Sequence, residues 1–146
     1  QAARLANRKF HALLVGEHTL KPAQFLEIRT LFGKNIFHDL SKLVPDKVHQ
    51  LGGVGILQRN KVPIKTKILS KKLQKLHNKG RFGLHAIEVL PNKIVLCYYY
   101  YGKTGGDLDV KAACQTDDVM ALIFEDCGMQ PEGPKLICGD LNCTLF

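Results

Sequence analysis

Three polar features in this chain of 146 residues each follow an apolar run of strand length. Glu17 follows ALLVG, Tyr101 follows VLCYYY, and Asp140 and Asn142 come shortly after LIC. In α/β proteins, ligands bind where strand ends open onto a shared crevice. Two carboxylates, an amide and a phenol gathered there would form a set of hard oxygen and amide groups. Such a set suits Mg²⁺ or Mn²⁺, which takes a few carboxylate oxygens, Mg²⁺ in particular keeping several waters. A bound ion of this kind polarises a phosphoryl oxygen and stabilises the leaving group. Each feature also has a plainer reading. Asp-x-Asn after a strand is a good turn former, a Glu closing a strand is a solvated end, and a run of tyrosines is half-buried strand packing with exposed hydroxyls. What favours the chemical reading is the set and its order along the chain.

The elements that must position these groups mix strands and helices. HALLVGE, NIFHDL, GGVGILQR, VPIKTKIL, RFGLHAIEVL, KIVLCYYYYG and KLICGDLN have strand length or partial alternation. KIVLCYYYYG is the strongest of them, being rich in β-branched and aromatic residues, and PN before it marks a turn. KPAQFLEIRTLFG has a helical stripe at Phe25, Leu26, Ile28, Leu31 and Phe32, with Pro22 in the first turn and Gly33 at the stop. DVKAACQTDDVMALIFEDCG predicts a helix with Val110, Ala113, Cys114, Val119, Leu122, Ile123 and Cys127 on one side. ARLANRKF suggests a helix end, and SKLVPDKVHQ a loop. Consecutive strands without helical crossovers in the middle of the chain give an α/β fold with hairpins, not a doubly wound sheet.

At 45% apolar residues the composition is that of a globular domain, and 146 residues suffice for one core. No apolar stretch approaches the length that crosses a bilayer. Five cysteines without a CxxC pair give neither a zinc cluster nor a disulfide framework, and point to a reducing intracellular compartment, with the nucleus or an organelle both compatible. The net charge of +8 is unevenly spread. Nine Lys/Arg and no acid fall between Arg59 and Arg81, whereas seven acids and one lysine fall between Asp107 and Glu132. The basic segment, expected on strands and a loop of the middle sheet, suits a polyanion such as nucleic acid through Arg59, Lys61, Lys65, Lys67, Lys71, Lys72 and Arg81. The plainer reading is a solvated surface.

Taken in order, LLVGEHTL, GGVGILQR, YYYYGKTGG and GDLN resemble the endonuclease/exonuclease/phosphatase superfamily, the DNase I-like fold. Its members carry comparable segments in the patterns LLQET, GGVAIL, NVYAP or VYGYTG, and GDFN. The variants here are reminiscent of retroelement-type endonucleases. The resemblance implies a four-layer α/β sandwich with mixed or antiparallel sheets flanked by helices. It implies metal binding by Glu17, phosphate contact by Tyr101, and placement of water and phosphate by Asp140 and Asn142. The implied activity is divalent-metal-dependent phosphodiester hydrolysis of nucleic acid. Four departures qualify it. Residues 1–10 contain no Asn-bearing first strand, and all six histidines precede Asp140, so none matches the family's terminal Ser-Asp-His. The Gln usual before the metal-binding Glu is Gly16, and the Asn often found two before the tyrosine is Tyr99. The expectation is therefore a single domain over 1–146 that forms part of such a sandwich. The alternative is a catalytically dead copy that binds nucleic acid or serves as a structural subunit, with a partner protein covering the incomplete sheets.

Overall fold

The strand with the clearest sequence signal has neighbours on both sides. In a computed structural model of the protein, residues 12–16, 36–40, 53–59, 64, 66–102 and 110–141 are described, with Gln24, Glu27 and Thr30; for 36–40, Arg59 and 111–113 the description covers the backbone only. Strand β5 (Lys93–Tyr101) pairs antiparallel with β4 (Phe82–Leu90) and parallel with β6 (Lys135–Asp140). The β4–β5 hairpin turns through Pro91 and Asn92. Asn92 adopts φ 61°, a left-handed conformation that Asn tolerates, and its N–H donates to Glu88 Oε1 at 3.0 Å. A parallel neighbour requires a long crossover, which the helix Val110–Met129 supplies.

Strands β1 (Ala12–Val15), β2 (Ile36–Leu40) and β3 (Gly55–Arg59) form a second, antiparallel sheet in the order β1-β3-β2. Strand alternation gives the first sheet two distinct faces. On one, Phe82, Leu84, Tyr98 and Tyr100 pack against Leu73, Val119 and Ile123 of two helices, α1 (Lys71–Asn78) and α2 (Val110–Met129). On the other, Ile87, Val95 and Cys97 meet Ala12, Leu14 and Ile56 of the second sheet. The described elements are thus layered as sheet, sheet and helices, an α/β architecture. Gln24, Glu27 and Thr30, inside the helix predicted over 21–33, are helical and exposed.

Three expectations need correction. First, the basic segment is not confined to strands and a loop, because Lys71 and Lys72 open helix α1. Ser70 caps it, its hydroxyl accepting from the Leu73 N–H at 3.3 Å, while Leu73 and Leu76 supply apolar anchors one turn apart. Second, in VPIKTKIL the described residues show only an isolated bridge, Ile64 to Ala86, and irregular backbone from Thr66 to Ser70. Third, the stripe predicted for α2 holds at Val119, Leu122, Ile123 and Cys127, but Thr116 and Asp126 are buried on that helix too, whereas Val110 is 79% exposed and Cys114 is exposed. Asp126 can be buried because it accepts hydrogen bonds from neighbouring donors.

The 1–10 and 41–50 readings fall outside the described residues. Among the described cysteines, Cys97, Cys114, Cys127 and Cys138 are free thiols. No described helix is long and apolar enough to cross a membrane.

Candidate functional site

The parallel pairing of β5 and β6 sets the C-terminal ends of YYYYG and CGD side by side. The register runs from Leu96 opposite Lys135 to Tyr101 opposite Asp140. The Gly102 N–H then donates to the Asp140 carbonyl at 2.7 Å, carrying the ladder one step further. On the other flank the Tyr101 N–H donates to the Arg81 carbonyl at 2.8 Å. Arg81, Tyr101 and Asp140 therefore form one cross-strand row at one end of the sheet. Residues directly opposite one another share a face, and alternation from Cys97 puts this row on the side of the second sheet.

Two glycines make the close approach of these strand ends possible. A Cβ on Gly139 would overlap the Tyr100 carbonyl oxygen, and its φ of +153° is one that side-chain-bearing residues rarely adopt. A Cβ on Gly102 would overlap the Leu141 carbonyl oxygen and lie 2.6 Å from its carbon. The glycine of each motif accommodates the backbone beside the other motif.

The row combines a cation, a phenol and a carboxylate. Arg81 Nη1 donates to the Gly102 carbonyl at 2.9 Å, and the guanidinium carbon lies 4.9 Å from the Tyr101 ring centroid. That is cation–π range. Tyr101 is buried beneath it, at 4% exposure, whereas Asp140 is exposed. Strand β1 approaches the same face one step inward. A Cβ at Gly16 would overlap the Tyr99 hydroxyl and lie 2.6 Å from Cζ. Tyr99 and Gly16 thus complement each other sterically: the large residue at 99 fills space that only glycine leaves at 16.

Glu17 and Asn142 lie outside the described residues, as do Lys61 and Lys65; Arg59 ends β3. Lys67, Lys71 and Lys72 are exposed, and the two on α1 belong to the helix layer, across the sheet from the row. Among the described residues, no group of three His, Cys, Asp or Glu is placed to hold a metal. A hydrated Mg²⁺ needs only one or two carboxylates, and the exposed Asp140 at a strand end fits that demand as one ligand. The neighbouring thiols do not suit nucleophilic chemistry. Burial, with Cys138 close by, pushes the Cys97 thiol up to about 11, and burial raises Cys138 as well. A cleft of about 350 Å³ between Leu96, Ile94 and the 130–134 loop sits at the opposite end of β5 and shares no residue with the row.

Sequence reasoning missed a second polar cluster, on the helix side. Asp126, fully buried, accepts at Oδ1 from the Leu69 and Ser70 N–H groups at 2.9 and 3.0 Å. At Oδ2 it accepts from the Tyr98 hydroxyl and Gln130 Nε2, at 3.0 and 3.1 Å. The available signal was an acid three residues after Ile123 on the apolar stripe. Burial, with Cys127 and Asp126 as neighbours, raises the Tyr98 phenol above its usual range. Compared with models of protein families and with curated proteins, the chain matches none.

Proposed function

We propose that the protein is a divalent-metal-dependent phosphodiesterase of endonuclease type, acting on nucleic acid within a DNase I-like sandwich. The observation that carries this reading is the register of Tyr101 with Asp140 at the ends of adjacent parallel strands. It sets a phenol and an exposed carboxylate together where α/β sheets bind ligands. In this reading Glu17 and Asp140 hold Mg²⁺ or Mn²⁺, which when bound supplies charge stabilisation to the phosphoryl oxygens. Asp140 and Asn142 orient the attacking water and the phosphate, and Tyr101 contacts the phosphate. Supporting it, the motif glycines Gly102 and Gly139 are required by close backbone approach, so the strand ends are built to meet.

The test is nicking of supercoiled DNA with Mg²⁺ by the chain and by Glu17→Ala and Asp140→Ala. Metal-dependent nicking lost in both variants is the expected result. A wild-type chain that binds DNA without nicking it would instead identify a dead copy acting as a binding or structural subunit.

A further inference from the structure

The basic segment between Arg59 and Arg81 suits a polyanion by its charge, but one of its residues is built differently. Lys67, Lys71 and Lys72 are exposed side chains. Arg81 is half-buried, stacked on Tyr101 and tied by Nη1 to the Gly102 carbonyl. A guanidinium carries five N–H donors in a planar fork that matches a phosphate. One contact to Gly102 and the stack on Tyr101 fix the plane and leave other donors of the fork for a ligand. A fixed cation also loses less side-chain entropy on binding than a solvated lysine.

We infer that Arg81 is the phosphate-recognition residue of this site, binding a backbone phosphodiester of nucleic acid beside Asp140. The inference rests on the phosphodiesterase reading for the identity of the ligand. Strands in a sheet are about 4.8 Å apart, so Arg81 and Asp140, two strands apart with Tyr101 between them, stand on the order of 10 Å apart at the backbone. A phosphate above the row would present an oxyanion to the half-buried Arg81 and its reacting side to the exposed Asp140. Arg81 therefore selects a phosphate already at the site, whereas the α1 lysines face away from it.

The experiment measures binding of the full chain to a duplex without terminal phosphates, by fluorescence anisotropy in EDTA over a salt series. Arg81→Gln is expected to weaken binding roughly tenfold and to lower the slope of log affinity against log salt by about one. Arg81→Lys is expected to restore the slope but not the full affinity, because an ammonium lacks the planar fork. Inorganic phosphate at millimolar concentration is expected not to displace the duplex; displacement would assign the site to free phosphate or a monoester and overturn the inference. Wild-type affinity and slope in Arg81→Gln, alongside a lowered urea midpoint, would show a purely structural arginine. Should Arg81→Gln fail to fold, Arg81→Lys decides: undiminished affinity there overturns the inference. Because no turnover is required, absent nicking would sink the enzymatic reading while leaving this result standing.

Discussion

Strand β5 carries two tyrosine–aspartate pairings on opposite faces, and they have opposite character. On the helix face, Tyr98 and Asp126 are both fully buried, and the carboxylate accepts four hydrogen bonds, from two backbone N–H groups, the phenol and Gln130. On the face toward the second sheet, Tyr101 is buried beneath Arg81, but Asp140 is exposed at a strand end. The first carboxylate is turned inward to hold the N-terminus of α1, whose first turn has lysines and no acid of its own to offset the helix dipole. The second meets solvent at the point where a ligand can approach. The same residue types therefore sit in opposite surroundings on the two faces, and accessibility tells the two carboxylates apart.

Asp126→Ala should give the largest effect. It strands the Leu69 and Ser70 N–H groups at the start of α1 and the buried Tyr98 hydroxyl on β5, which costs about 3–5 kcal/mol. Urea unfolding should show the midpoint collapse, and a loss under 1 kcal/mol would mean that the closed pair is not structural. Asp140→Asn should do the reverse. As an exposed change it should leave stability within about 0.5 kcal/mol, while Mg²⁺-dependent nicking falls about 10²-fold or more. Equal nicking by Asp140→Asn and wild type would erase the functional side of the contrast. Next in size is Gly16→Gln, which forces the Tyr99 hydroxyl out of its place and should cost about 1–3 kcal/mol. Adding Tyr99→Asn should return part of that loss, a coupling expected only if the two positions exclude each other.

Much of the strand framework could be read from the sequence because β-branched and aromatic runs bounded by turn residues leave few other conformations open. KIVLCYYYY and GILQR lie where their composition placed them. Helix α1 was missed because its eight residues carry only two apolar anchors and four of its other positions are charged or titratable. On α2 the stripe holds at Val119, Leu122, Ile123 and Cys127 but omits Asp126, because a buried Asp looks like a surface residue until its donors, 56 and 57 residues away in sequence, are known. At the candidate site, Tyr101 and Asp140 were legible as strand-end residues, but their register was not. Nor was the part of Arg81, since nothing local distinguishes it from the eight other cations in its segment.

The smallest effect is one of pH. The Tyr98 phenol and the Cys97 thiol are both held in their neutral forms by burial, so their folded-state pKa values exceed the unfolded ones. Stability from such groups is complete below the unfolded pKa and is lost as pH rises toward the folded one. For Cys97 that window runs from 9.0 to about 11, and for Tyr98 it opens at 10.0. Each group can remove at most about 1.4 kcal/mol per pH unit. The urea midpoint should therefore be insensitive to these groups near neutrality, fall above pH 9, and fall more steeply above pH 10. Tyr98→Phe should remove the steeper part. If Tyr98→Phe left the alkaline limb as steep as in the wild type, the buried phenol on the helix face would not be the group that titrates there.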